Sequence, residues 1–541
     1  MRDRTSFRPL KWDPEGLYPK GQLRMSIARN VAIVGTATLA SRVLGFVRDV
    51  AIAALFGASA RADAFVVAFQ FSNLIRRLLT EGALNAAFVP LYLRRRDEGG
   101  EDAAGAFAGR LIGTATIVLL ALSALLAFAM PLLMLALAPG FADRPQPLSL
   151  SIELSRLMLP YLVLAGPVAV LMGVLNANHR FHTAALAAVI FNVVILIALA
   201  GIFLARAGDS DVSAHIVAIS IACAGLCQLA LVACAVWIGP EKSTPLGFLP
   251  LGEARRFAAL AIPGLIASGI PQLTMIVAVM VASDWPGAVS WLYYANRLVE
   301  LPLGIVGIAI GTVMTPALTH AMRGDDGELA PRTIRHGIEM ALGLALPAAI
   351  ALALLAWPII RILFERGAFT IHDSNSTAAM LGALAIGLPG HVLVKALSPI
   401  FFAREDTRTP MMAAGIGLIA ALAGSLAFMA IGRPTGIALS VGLSGWISAA
   451  MLWLIAVRRG MLHVGWGEWR RLILISASAL VMGLFARLLA EFLNLSLLES
   501  RPTQVVLLGA VIGFSLAVYA ACLWLSGIVR PHEWRALFRR G

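Results

Sequence analysis

Long uninterrupted runs of apolar residues constrain this chain more than any other feature of its sequence. The runs are about 20 to 30 residues long, the length a helix needs to cross roughly 30 Å of hydrocarbon. Of the 541 residues, 59% are hydrophobic and only 13% are charged, and the mean hydropathy is +0.84. A water-soluble core of this length could not bury so much apolar surface. Because the runs are continuous rather than alternating, the sequence predicts an all-α polytopic membrane protein and not a β-barrel.

The apolar runs, separated by turn signals such as Pro139-Gly140 and Arg501-Pro502, predict about fourteen transmembrane helices. The predicted spans are residues 30–56, 62–92, 104–138, 150–177, 182–205, 213–238, 256–283, 289–321, 333–363, 374–402, 409–431, 435–457, 472–494 and 503–529. The longest loops have only about 15 to 18 residues, too few for a soluble domain. Any function must therefore lie within the membrane.

The loop charges predict the orientation of the chain. Lys and Arg are retained in the cytoplasm, and most of the loop arginines fall on the side of the N-terminus, for example at 94–96, 255–256 and 470–471. We therefore expect both termini in the cytoplasm, with the basic terminal segments against anionic membrane lipids. The net charge of +13 reflects these loops, and we expect no nucleic acid as a partner.

The four cysteines lie within apolar runs and lack the spacing of a metal site or of a disulfide framework. They are Cys223, Cys227, Cys234 and Cys522. We expect them to be packing residues, and we expect neither a metal ion nor a cofactor.

The first two predicted spans contain arginines, which are rare inside transmembrane helices and indicate a functional site. Arg42 and Arg48 lie in span one, and Arg76 and Arg77 lie in span two. An arginine at the centre of a spanning helix costs about 2.5 to 3.5 kcal/mol on insertion scales, so it faces a cavity or an ionic partner. An alternative explanation is snorkelling to the lipid head groups, which the sequence leaves open for Arg48, Arg110, Arg156 and Arg487.

Helical spacing predicts how these charges are arranged. Asn73, Arg77 and Glu81 fall on one face of span two, where Arg77 and Glu81 can pair. Asp49 directly follows Arg48, and adjacent helical residues point about 100° apart, so we expect these two not to face each other. Arg42, Arg48 and Arg76 then form a net positive cavity for an anionic, phosphorylated substrate, since a guanidinium group matches phosphate oxygens.

Two later spans carry further polar residues. Tyr293, Arg297 and Glu300 lie on one face of span eight, where Arg297 and Glu300 could instead neutralise each other. Lys395 lies in the middle of span ten, one turn after His391, which we expect to be a neutral packed histidine.

Several segments together resemble the MurJ (MviN) family, the lipid II flippases of the multidrug/oligosaccharidyl-lipid/polysaccharide exporter superfamily. In the first two spans they are residues 41–49 (SRVLGFVRD), 56–57, 63–65, 73–77, 81–82 and 87–90. The later ones are residues 290–291, 293–295, 297–298, 300, 302–304, 311–312, 394–399 and 409–410. These segments occur in the order of the family and reach span eleven.

The resemblance implies two six-helix lobes around a central cationic cavity, followed by two helices that form a groove for a polyprenyl tail. On this basis we expect a cytoplasmic N-terminal segment at 1–29, lobes at 30–238 and 239–458, the groove at 459–529 and a cytoplasmic tail at 530–541. Arg42, Arg48, Arg76, Arg77 and Arg297 are the expected substrate-binding residues. Asp63, Asn73, Glu81, Glu300 and Lys395 are expected to act in a gate or to support the structure.

The family further implies a monomer of the bacterial inner membrane that flips lipid II, with the cell-wall synthesis machinery as a further partner. Some relatives bind sodium through Asp and Asn in spans seven and eleven, but residues 411–431 contain neither residue type. We therefore do not expect sodium coupling at that site.

Other functions remain open at this point. A flippase for another polyprenyl-diphosphate-linked saccharide would need the same arginines, whereas an exporter of cationic drugs would need a cavity rich in carboxylates. A membrane enzyme would need clustered carboxylates for a metal, but Asp325-Asp326 is the only adjacent pair of aspartates and suits a solvated turn. A scaffold for cell-wall enzymes would leave the buried arginines unexplained, so we do not expect an enzyme or a scaffold.

Overall fold

A computed structural model describes residues 20–78, 85–239, 247–311, 318, 329–462, 465–493 and 500–528. Throughout these residues the regular structure is helical, and no β-strand occurs among them. The expected all-α fold is therefore confirmed for the described part of the chain.

The helices follow the apolar runs of the sequence. The first eight are α1 Lys20–Phe56, α2 Ala60–Arg77, α3 Asn85–Leu137, α4 Pro145–Ala177, α5 Phe181–Leu204, α6 Asp211–Ile238, α7 Leu251–Ala282 and α8 Ala288–Ala309. The others are α9 Leu329–Leu354, α10 Ala356–Phe364, α11 Ile371–Phe402, α12 Arg408–Ala430, α13 Thr435–Arg458, α14 Trp466–Phe492 and α15 Arg501–Leu525. A short 3₁₀ turn, Pro139–Phe141, joins α3 to α4.

The helices pack in two groups. Within α1 to α6, α4 packs against α2, α3 and α6, and α5 packs against α1 and α6. In α7 to α13, α11 packs against α8, α9 and α13, while α12 packs against α7 and α13. The two groups meet where α2 contacts α7 and α8 and where α3 contacts α7. Helix α14 lies on α9, and α15 lies on α14.

The helices depart from the predicted spans at two places, and local backbone chemistry explains both. The end of predicted span two and the whole of span three form the single helix α3, which bends at Gly100. Gly100 has φ 76° and ψ −174°, a conformation open almost only to glycine. Predicted span nine is divided into α9 and α10 at Leu355. Pro358, one turn further on, has no N–H to donate to the carbonyl of Leu354.

Large apolar side chains on the outside of the helix bundle need a lipid environment. Phe128 and Leu204 are each 85% exposed, and Leu132 is 72% exposed. Within the described residues, ten helices are long and apolar enough to cross a membrane. The chain is thus a multi-pass membrane protein. The expected count of fourteen spans stays a prediction.

A candidate anion-binding cavity

A cavity of about 690 Å³ lies among α1, α2, α4, α5, α6 and α8. It extends towards the turn between α4 and α5, because Asn176 and Phe181, on either side of that turn, are part of its wall. The structure brings all five arginines expected to bind substrate to this cavity: Arg42, Arg48, Arg76, Arg77 and Arg297.

One buried carboxylate organises the centre of the wall. Asp49 Oδ1 accepts hydrogen bonds from Arg48 Nε at 3.0 Å and Nη2 at 2.7 Å, and from the Tyr293 hydroxyl at 3.1 Å. Its Oδ2 accepts from Arg297 Nε at 2.5 Å. The side chain of Asp49 is fully buried, so this carboxylate holds one arginine from each helix group against the other.

The expectation that Arg48 and Asp49 would not face each other is wrong. Successive helical positions do point apart, but the long Arg48 side chain folds sideways along α1 to reach its neighbour. Its Nη1 also donates to Asn192 Oδ1 at 3.0 Å, and its guanidinium lies 4.9 Å from the centre of the Phe69 ring. With 3% of its side chain exposed, Arg48 does not snorkel to a membrane surface.

Arg297 is partly neutralised, as its spacing from Glu300 allowed. Arg297 Nη1 lies 2.7 Å from Glu300 Oε2, while its Nε is bound to Asp49. Arg48 and Arg297 are therefore not free cations, which corrects the interpretation of Arg48 as an unpaired charge. Sequence spacing within one helix could not reveal the ion pair between Arg297 and Asp49, because these two residues lie on different helices.

The two arginines of α2 have amide partners. Arg76 Nε donates to Asn73 Oδ1 at 3.2 Å, and Arg77 Nη1 donates to Gln272 Oε1 of α7 at 2.9 Å. Glu81, the predicted partner of Arg77, lies outside the described residues. Five arginines and one glutamate line the cavity, with Asp49 behind the wall, so the described residues leave it net positive.

Arg42 and Lys395 approach α8 at two glycines one helical turn apart. A methyl group built on Gly304 would overlap with the guanidinium of Arg42, and one built on Gly307 would lie 3.1 Å from Lys395 Nζ. Lys395 Nζ lies 3.4 Å from the carbonyl oxygen of Leu303. Arg42 itself makes no hydrogen bond or ion pair with another described residue. These two cations therefore lie together on the glycine face of α8.

Asp63 is fully buried at the opposite end of the cavity from the α4–α5 turn. Its carboxylate accepts from the backbone N–H of Gly287 at 2.7 Å and of Ser290 at 3.0 Å. It also accepts from the Ser290 hydroxyl at 2.7 Å. A side chain of α2 thus caps the N-terminus of α8, where the helix dipole favours a negative charge.

Further contacts close this end of the cavity between the two helix groups. The Tyr294 hydroxyl donates to the carbonyl of Gly57 at 3.1 Å, and Ala368 N donates to the carbonyl of Ala54 at 2.8 Å. Gly57, with φ 60°, packs so closely against Ala368 that a Cβ would overlap with its carbonyl group. The ends of α1 and α2 are therefore held firmly to the second group.

The other polar residues singled out in the sequence lie away from this centre. Arg156 is exposed and donates to the Ala127 carbonyl at 3.0 Å, and Arg487 pairs with Glu491 at 3.0 Å on the exterior. Arg110 donates to the carbonyl of Ala106 at 3.3 Å within its own helix. The ring of His391 packs against Gly445.

Sequence reasoning missed the polar side chains that position the arginines. Asn192 binds Arg48 and also donates to the Ser41 carbonyl at 3.1 Å. Its signal in the sequence is a single amide in a helix whose mean hydropathy reaches 2.8. Gln272 gives a similar signal in α7. No group of three or more His, Cys, Asp or Glu that could hold a metal occurs among the described residues.

Comparisons with known proteins place the chain in one family. The model of the family described as lipid II flippase MurJ matches residues 52–502. A probable lipid II flippase MurJ of Rhizobium tropici is 37% identical, over 93% of this chain and 95% of that protein. The lipid II flippase MurJ of Burkholderia cenocepacia is 31% identical, over 93% of this chain and 98% of that protein.

Two solved structures share the fold. An inward-closed lipid II flippase MurJ matches with a TM-score of 0.74 and 23% identity, covering 91% of this chain and 99% of that one. An inward-facing multidrug transporter of the MATE family matches with a TM-score of 0.63 and 14% identity, over 79% and 97% of the two chains. The match to the family model and the identity to curated relatives over almost the whole chain show that this protein belongs to the MurJ lipid II flippase family.

Proposed function

We propose that this protein flips lipid II from the cytoplasmic to the periplasmic leaflet of the bacterial inner membrane. The observation that carries the proposal is the cavity lined by five arginines and one glutamate. Such a net positive cavity replaces the hydration of a diphosphate group with guanidinium donors. The MurJ relatives supply the lipid class, because the charges alone fit any lipid-linked diphosphate.

Within the cavity the arginines have different roles. Asp49 neutralises part of the charge of Arg48 and Arg297, and these three residues form a fixed wall across the two helix groups. Arg42, Arg76 and Arg77 also line the cavity, and we assign the diphosphate to these three guanidinium groups.

Alternating access is the mechanism that the closed end supports. Asp63 and Tyr294 join the two helix groups at one end, while the cavity extends to the α4–α5 turn at the other. Basic residues such as Arg95 and Arg96 lie near that turn, since Arg96 Nη1 donates to Asn178 Oδ1 at 3.0 Å. By the positive-inside rule we assign the α4–α5 end to the cytoplasmic side, and we propose that both termini lie on that side as well. We assign the described state to an inward-facing form.

The prenyl tail stays in lipid while the head group crosses. We place it along α14 and α15, which lie beside α9 on the outside of the second group. One chain encloses the whole cavity, so we propose that a monomer carries out the transport. A membrane potential of 100 mV is worth about 2.3 kcal/mol per charge moved fully across, which is enough to bias the return of an empty cationic cavity.

The test is translocation of labelled lipid II in vesicles that contain the purified protein. We expect Arg76→Ala and Arg297→Ala to abolish most of the protein-dependent translocation. Arg156→Ala is the matched control, because Arg156 is an exposed membrane arginine outside the cavity, and we expect normal translocation. Unchanged translocation in both cavity variants would refute the role of the cavity. Recovery of chemically altered lipid would point to an enzyme instead.

A further inference from the structure

A second, smaller cavity of about 70 Å³ lies beside the first, between α2, α7 and α8. Asn73, Arg77, Arg297 and Glu300 belong to the walls of both cavities. A ligand group bound next to these arginines in the larger cavity could therefore place its adjoining part in the smaller one.

Four amide side chains line this smaller cavity: Gln70, Asn73, Gln272 and Asn296. Each amide has two N–H donors and one carbonyl acceptor. Two of the carbonyl oxygens accept from arginines, Asn73 from Arg76 and Gln272 from Arg77. The interactions with arginine thus occupy acceptors and leave amide donors at the cavity.

Gln70 Nε2 is buried and has no hydrogen-bond partner among the described residues. A buried donor without an acceptor costs about 1 to 3 kcal/mol, and such groups are uncommon unless water or a ligand satisfies them. Gln70 belongs to the wall of the small cavity, so an acceptor bound there would meet an unsatisfied donor.

We infer that this cavity is a subsite for the acetamido group of the N-acetylated sugar that adjoins the diphosphate of the transported lipid. This inference rests on the proposed function and deepens it. A volume of about 70 Å³ corresponds to roughly two water molecules of liquid, the size of a small polar group such as an acetamido group. The carbonyl and hydroxyl oxygens of such a sugar are acceptors for the amide donors, while its N–H and O–H groups can donate to Glu300.

The charge distribution separates this subsite from the diphosphate position. Glu300 lies in the wall, where it pairs with Arg297 and accepts from Asn296 Nδ2 at 3.3 Å. A second phosphate would be repelled by this carboxylate, whereas a neutral sugar would not. The subsite also joins α2 of the first helix group to α7 and α8 of the second, so a bound sugar would contact both groups.

Binding of two lipids to the full chain in nanodiscs tests the inference. The first lipid is undecaprenyl diphosphate, and the second is the same lipid with one N-acetylated sugar. We expect Gln70→Met, which keeps the length but removes the amide, to weaken binding of the sugar lipid by about three- to tenfold. The affinity for undecaprenyl diphosphate should not change. Asn296→Leu is a second variant with the same expected selectivity, in case Gln70→Met does not fold.

The control variant is Gln146→Met, which removes an exposed glutamine of α4 outside both cavities and should bind both lipids like the unmodified chain. The inference would be overturned if the subsite variants bound the sugar lipid with unchanged affinity, or lost affinity for both lipids equally. A cavity that holds only water gives the first of these results. Failure of the unmodified chain to bind either lipid would instead refute the proposed function.

Discussion

At the scale of single residues, Asp49 determines how much positive charge the cavity presents. Its carboxylate is fully buried and binds two arginines and a tyrosine. A buried ion pair adds little net stability compared with apolar packing, but removal of one partner leaves a buried charge uncompensated. The sequence motif contains Arg48 and Asp49 side by side, yet only the fold shows that Arg297 completes the cluster.

Replacement of Asp49 by Asn should strongly destabilise the protein. Arg48 and Arg297 would then repel each other without an anion between them, and breaking such a buried pair costs about 3 to 5 kcal/mol. We expect a clearly lower thermal unfolding midpoint in detergent. Glu300→Gln is the control, because Glu300 is 31% exposed and Arg297 keeps Asp49 as a partner, so its effect should be much smaller. Equal midpoints for Asp49→Asn and the unmodified chain would contradict this role.

Gly304 leaves the space that the guanidinium of Arg42 occupies, so we expect a substitution there to affect binding of the diphosphate. A methyl group at Gly304 would meet the flexible end of Arg42 and displace it, so Gly304→Ala should preserve folding and reduce affinity for undecaprenyl diphosphate. The loss of one charged hydrogen bond predicts roughly a tenfold or larger effect. Gly311→Ala is the matched control, since nothing lies within 4 Å of a Cβ at that position. Equal affinities of the two variants would show that Arg42 does not bind the diphosphate from its position beside Gly304.

At the scale of elements, α8 connects the closed end of the cavity, the Asp49 charge cluster and the cavity wall. Asp63 caps its N-terminus, and Arg297 near its middle reaches the Asp49 cluster. Gly304, further along, contacts the guanidinium of Arg42. A movement of α8 relative to α1 and α2 would therefore alter all three sites together.

Asp63→Asn should loosen the closed end of the cavity. The neutral amide interacts less well with the α8 N-terminus and has only one oxygen for the three donors. Spin labels at Ala60 and Asp284, in a chain without its four free cysteines, would report the distance between the helix groups. We expect a broader distribution with longer distances. The control Asp211→Asn breaks a pair with Arg61 inside the first group and should leave the distribution unchanged. An unchanged distribution for Asp63→Asn would show that Asp63 does not hold the two helix groups together.

Asp406, in the turn before α12, predicts a pH dependence outside the membrane. Hydrogen bonds from Thr409 and Arg459 lower the pKa of this carboxyl to about 2, below the usual value near 3.8. Its stabilising contribution is therefore complete above about pH 4 and is lost as the pH falls towards 2. We expect the unfolding midpoints of the unmodified chain and Asp406→Asn to differ by a constant amount above pH 5 and to converge below pH 4. A difference that persists at pH 2 would contradict the assignment.

At the scale of the whole molecule, the apolar runs were sufficient to predict the fold class and most helix positions. The breaks at Leu355 and Gly100 depend on local backbone chemistry, which run length does not report. The arginines could be selected as candidate cavity residues because charge is costly in lipid, and all five lie at the cavity. Their pairing could not be predicted, since Asp49 and Arg297 are far apart in the chain and meet only when the two helix groups pack.

The position of the diphosphate within the cavity is the most direct test of the whole account. The measurement is an experimental structure of the protein with bound lipid II, in which the two phosphorus atoms can be located. We predict that the diphosphate lies within hydrogen-bond distance of Arg42, Arg76 or Arg77, in the cavity bounded by the Asp49 cluster. A diphosphate located outside this cavity, for example along α14 and α15, would contradict the proposed mechanism.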